Sequence, residues 1–114
     1  MNQYKHFSED EVRGLSPTLI ALLDYARDLA GVPFVITSGF RTTEENRAAG
    51  GADNSAHLRG LAVDLRVHDN VSRYKIIRAL IKVGFARIVV YESDGHVHAD
   101  IDYSLPNPVF VVKP

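Results

Sequence analysis

Apolar positions recur along this chain with two different periods. Leu19, Leu22, Leu23, Ala26 and Leu29 fall at helical spacing, which predicts a helix with one buried face. Ser16 reads as its cap, Pro17 as its first residue and Gly31 as its stop. Ile76, Ile77, Leu80 and Ile81 predict a second long helix, opened by Ser72 and ended by Gly84. Elsewhere the apolar runs are short. PFVIT (Pro33–Thr37), LAVDLRV (Leu61–Val67) and ARIVVY (Ala86–Tyr91) read as strands. HVHADI (His96–Ile101) alternates polar and apolar, and Ser93-Asp94-Gly95 supplies the turn that makes it a hairpin partner of the preceding strand. Thr42 or Thr43 opens a short polar helix that ends at Gly50-Gly51, and GADNSAHLRG reads as a loop. Met1 to Leu15 is expected to be an irregular arm, and Val109 to Val112 an edge strand after Pro106 and Pro108. This order of elements predicts an α+β fold, an antiparallel sheet with helices packed on one face.

Composition narrows the function classes. The chain has 114 residues, 46% of them hydrophobic, with no repeat or linker. One domain spanning residues 1–114 is expected. A formal charge of −1 with scattered basic residues gives no electrostatic reason to expect nucleic acid. No window approaches the roughly 18 apolar residues of a membrane span, so membrane insertion is not expected. Cysteine is absent, which rules out disulfides and thiolate metal sites. Any metal would have to be held by His, Asp or Glu. The polar start MNQYKHFSEDEV lacks the apolar run of a signal peptide, so synthesis in the cytoplasm is expected.

The chemistry concentrates in YESDGHVHAD, Tyr91 to Asp100, with two histidines and three carboxylates in ten residues. Side chains alternate across a strand, so His96, His98 and Asp100 share one face, opposite Val97, Ala99 and Ile101. On the earlier strand Ala62, Asp64 and Arg66 share a face. An aspartate amid an apolar strand is costly without a partner. His57 lies just upstream of that strand. Two strands and a loop can therefore bring His57, Asp64 and His98 together as metal ligands, with a fourth position left for water. Taken singly, each residue has a structural reading: Asp64 could pair with Arg59 or Arg66, and the histidines could line an exposed edge.

SAHLRGLAVD, Ser55 to Asp64, fits the S-x-H-x-x-G-x-A-x-D pattern of the zinc D,D-peptidases of the M15 group. HFSEDEV, ITSGFRT and NRAAGG extend the resemblance upstream. Downstream, SRYKIIRALIKVGFARIVVYESDGHVH resembles the signalling domain of hedgehog proteins, which shares this zinc fold. The resemblance implies a hedgehog/D,D-peptidase-like fold with Zn2+ on His57, Asp64 and His98. The acid of the E-x-x-H motif common in the group is missing, because Gly95 stands there. The hedgehog-like arrangement puts an acid six residues before the ligand, which is Glu92. Asp94 and then Asp100 are the other candidates for the general base. His96 matches a histidine near the metal, and Arg41, in SGFR, matches an arginine that contacts the substrate carbonyl or carboxylate. A purely structural Arg41 would instead pair with Glu44 or Glu45.

What the resemblance implies is a metallopeptidase acting on peptidoglycan peptides, of the D-Ala-D-Ala carboxypeptidase or L-alanyl-D-glutamate endopeptidase kind. Without a signal peptide, a phage endolysin released through a separate holin is the expected setting. Two alternatives stand beside it: a catalytically silent, zinc-stapled wall-binding or tail module, and a peptidase trimming cytosolic D,D-dipeptides. The acidic calcium cluster of hedgehog proteins has no counterpart, because TTEENRAAGG occupies that place.

Overall fold

The computed structural model describes residues 4–114, so the first three residues of the predicted arm lie outside the described residues. The elements run α1 (Pro17–Ala30), β1 (Val35–Ser38), α2 (Thr43–Ala48), a 3-10 turn (Ala56–Arg59), β2 (Ala62–Arg66), α3 (Asn70–Val83), β3 (Arg87–Tyr91), β4 (His96–Asp100) and β5 (Val109–Lys113). The strands form one sheet in the order β1-β2-β4-β3-β5. All neighbouring pairs are antiparallel except β3 and β5. The fold is thus the expected α+β arrangement with one parallel edge. The direction of β5 follows from its start. Asp100, the end of β4, lies opposite Arg87, the start of β3, and Val109 also pairs with Arg87. The chain leaves β4 and turns back at that same end, so β5 must run alongside β3.

The Ser16 side chain caps α1, accepting from the Leu19 amide at 3.0 Å, and Gly31 closes it in the left-handed conformation. That cap is worth about 1 kcal/mol. The start of α3 differs from the sequence expectation. Asp69 is the cap, its carboxylate accepting from the Ser72 amide at 2.8 Å, and Ser72 lies inside the first turn. Both residues are good caps; the one that meets the chain in an extended conformation takes the role. The predicted loop Gly51–Gly60 holds the 3-10 turn that carries His57.

Helices α1 and α3 pack on the same sheet face. Leu19, Leu23, Ile76 and Leu80 interlock there with Val63, Leu65, Val97, Ala99, Ile88 and Val90. Truncating a side chain such as Leu80 to Ala would cost about 2–5 kcal/mol. This layer claims one face of β2, β3 and β4, and period-two alternation leaves the other face for polar side chains. Among the described residues no helix is long and apolar enough to cross a membrane.

Candidate metal centre and active-site cleft

The register of the central strands assembles the site. Asp64 on β2 stands opposite His98 on β4 and Ser38 on β1, and His98 stands opposite Val89 on β3. The 3-10 turn just before β2 delivers His57. Its Nδ1 donates to the Gly39 carbonyl at 2.7 Å, which fixes the tautomer and leaves Nε2 facing Asp64 Oδ1 at 3.4 Å. His98 Nδ1 lies 3.2 Å from the same Asp64 oxygen. The two imidazole rings meet edge to face with centroids 5.2 Å apart.

One ligand atom from each of His57, Asp64 and His98 lies within 4.8 Å of the others, and this group could hold a metal ion. Two neutral imidazoles and a carboxylate suit a borderline divalent cation. The surroundings fit that use. The far nitrogen of His98, Nε2, is 2.7 Å from Asp100 Oδ2, the carboxylate–histidine arrangement that orients a ligating ring. Asp100 is only 1% exposed. It also accepts from Arg87 Nε at 3.2 Å and from the Asp102 amide at 3.1 Å.

The charges follow these contacts. Burial alone would raise the Asp64 pKa, but hydrogen bonds and charge from His57 and His98 outweigh it and hold the carboxyl well below the usual range. Burial alone would depress His98, yet its bonds to Asp100 and Asp64 hold it above the ordinary histidine value. The two histidines therefore favour the carboxylate form of Asp64, the form that ligates a metal.

Arg41 is held by this centre rather than by Glu44 or Glu45. Its Nη2 donates to Asp64 Oδ2 at 3.1 Å, Nε to Ser38 Oγ at 3.0 Å and Nη1 to Asn46 Oδ1 at 3.4 Å. The Asp64 carboxylate is thus divided, with Oδ2 toward Arg41 and Oδ1 toward the histidines. Asn46 and Ser38 are site residues that the sequence reading did not single out. NRAAGG holds the signal for one of them. Asn46 is buried, its amide donates to the Ala52 carbonyl at 2.8 Å, and a Cβ on Gly51 would strike its side chain.

Above these residues opens a cleft of about 520 Å³, lined by Arg41, the Ala49–Ala52 segment, His57, Asp64, Arg87, Tyr91, Asp94, His96, His98 and Lys113 among others. His96 stacks on Tyr91 with centroids 4.4 Å apart, and its Nδ1 is 3.8 Å from Asp94 Oδ2. Glu92 is exposed and does not line the cleft. The strand explains why. Arg87, Val89 and Tyr91 present to the cleft face, so the residue after Tyr91 falls on the other side. The structure therefore brings His57, Asp64, His98, Arg41, His96 and Asp94 to one cleft and leaves Glu92 outside it.

The peptidase M15 family model matches residues 3–100. This chain belongs to the M15 peptidases. The match takes in all three candidate ligands, Arg41 and Asp100, and ends before β5. A solved structure, the L-Ala D-Glu endopeptidase ChiX of Serratia marcescens, is similar in fold: its TM-score is 0.59 at 22% identity, covering 91% of this chain and 92% of that one. No curated protein matches the chain. Relative to the matched M15 region, the wall of the cleft formed by Leu105 and Lys113 lies beyond residue 100.

Proposed function

We propose that this chain is a zinc-dependent peptidase that hydrolyses an amide bond in peptidoglycan stem peptides. The observation that carries the reading is the convergence of His57, Asp64 and His98 at the floor of an open cleft. A closed structural site would be filled by protein ligands; three ligands facing open space leave a position for water. Membership in the M15 family and a fold shared with an L-Ala D-Glu endopeptidase support the substrate class.

Zinc held by His57, Asp64 and His98 would supply a bound water acidic enough to ionise near pH 7 and an electrophile for the peptide carbonyl. The chain's own residues prepare that chemistry. Gly39 and Asp100 lock the two imidazoles by their outer nitrogens. Arg41 fixes Asp64 and keeps N–H groups on its two Nη atoms for the substrate's carbonyl oxygen as charge develops there. Asp94, the turn carboxylate that lines the cleft beside His96, would serve as the general base toward that water and then as the acid toward the leaving amine. Glu92, two residues earlier in the same turn, is the competing base. Asp94→Asn and Glu92→Gln separate them: the variant that loses hydrolysis while keeping its metal identifies the base.

The substrate lies outside the cytoplasm, and a phage-type release to the wall fits this reading. The test is incubation with purified peptidoglycan and with a D-Ala-D-Ala-ended pentapeptide, with and without chelator, followed by mass spectrometry. Chelator-sensitive fragments support the peptidase, and their masses decide between the L-Ala–D-Glu and D-Ala–D-Ala bonds. Bound metal with no cleavage of either substrate points to a zinc-stapled wall-binding module.

A further inference from the structure

Among the described residues, the helix layer carries an apolar surface that is left uncovered. Val71, Tyr74, Ile81, Phe110 and Val112 are each 51–66% exposed, and all lie on α3 or β5. Its origin is topological. Phe110 pairs with Ile88 and Val112 with Val90, so both point to the core face of the sheet. The two long helices cover Ile88 and Val90 but do not extend over the edge strand. Tyr74, Ile77 and Ile81 recur on one side of α3. With Phe110 they form a groove of about 610 Å³ rimmed by Arg73, Arg78 and Lys82.

The charge of this face is equally one-sided. Helix α3 holds Arg73, Lys75, Arg78 and Lys82 and no acidic residue, in a chain whose net charge is −1. The whole-chain figure therefore conceals a helix of +4 against −5 elsewhere. Among the described residues none of these four cations joins an ion pair. Arg73 donates to Asn70, and Arg78 lies over the Tyr74 ring at 5.5 Å.

Apolar and cationic groups side by side select the occupant. A second copy docked symmetrically would set this helix against its own like charge. A nucleic acid would meet the cations and leave five large apolar side chains against water. An anionic bilayer satisfies both, taking tyrosine, isoleucine and phenylalanine at the headgroup boundary and cations at the phosphates. We infer that the α3–β5 face docks this protein on an anionic phospholipid surface. The cleft opens on the opposite face of the sheet, so a docked molecule keeps it clear of the lipid.

The full chain contains no tryptophan, so Phe110→Trp installs a unique reporter in the groove. Titration with equimolar phosphatidylglycerol–phosphatidylcholine vesicles should shift its emission to the blue and co-sediment the protein; pure phosphatidylcholine vesicles should do neither. Added salt should release it. Arg78→Gln and Lys82→Gln should each weaken partition roughly fivefold, and Ile81→Ser should weaken it with an unchanged circular dichroism spectrum. No response to the anionic vesicles, or an equal response to neutral ones, overturns the proposal. So does binding of a DNA duplex in preference to vesicles, or a dimer seen by light scattering that Ile81→Ser dissolves. None of these readouts depends on peptidase activity.

Discussion

Replacing Asp100 by asparagine changes one oxygen to an amide nitrogen at a position 1% exposed. In the native protein Oδ2 faces two donors, His98 Nε2 at 2.7 Å and Arg87 Nε at 3.2 Å, while Oδ1 accepts from the Asp102 amide at 3.1 Å. Asparagine has only one acceptor oxygen. Turned toward His98, it sets its NH2 against the Asp102 N–H; turned toward Asp102, it sets its NH2 against His98 and Arg87. Either way a buried donor faces a donor, and the charge on the His98 bond is lost. Losing one charge-assisted bond and stranding one donor should destabilise the fold by about 2 kcal/mol. The greater effect should fall on the metal. Without the carboxylate's charge the His98 ring is held less firmly with its Nδ1 toward Asp64, and affinity should drop ~10- to 100-fold, about 1.4–2.7 kcal/mol. Competition against a chromogenic chelator measures the affinity, and urea melts of the metal-free protein measure stability. A variant that loses stability yet binds zinc as tightly as the parent would refute the orienting role and leave Asp100 purely structural.

Other substitutions probe the frame around the site. Gly60 closes the turn that carries His57 at φ +69°, and a Cβ there would strike the Gly14 carbonyl oxygen. Gly60→Ala should cost about 2 kcal/mol or more in thermal or urea unfolding, since the left-handed backbone alone accounts for 1–2 kcal/mol; a neutral variant contradicts the close approach. Burial alone would raise the Asp102 pKa, but hydrogen bonds from Ser104 and the charge of Arg59 hold it below the usual value. A depressed folded pKa adds stability above the unfolded value, near 3.9, that is lost as pH falls through the folded one. Asp102→Asn should therefore flatten the decline in urea midpoint below about pH 4, and an acid limb as steep as the parent's counts against it. Asp94→Asn should abolish hydrolysis with zinc retained, as seen by peptide assay and metal analysis; full activity in this variant returns the base to Glu92.

The centre of the site was legible because a strand has period two. Once Asp64 and His98 were placed on strands, their polar faces followed, and the ladder between β2 and β4 set them opposite each other. His57 needed the motif, since a loop residue has no periodicity to place it. Asp100 was readable as sharing the face of His98 but not as its support, because a role set by a 2.7 Å contact depends on ring rotation. Glu92 shows the limit most directly. It is one residue past Tyr91, and at a strand end one residue decides which face a side chain takes. Neither the parallel direction of β5 nor the groove it makes with α3 is written in a local pattern; both follow from where the chain turns after Asp100.

If one metal on His57, Asp64 and His98 is required to cut a stem peptide, metal content and cleavage must stand or fall together. Zinc content and cleavage of a defined stem peptide should be measured on the same purified sample, for the parent and for His98→Ala. Near-stoichiometric zinc with cleavage is expected in the parent, and loss of both in the variant. A parent that cleaves after chelation, or a His98→Ala protein that keeps its zinc and its activity, would contradict it.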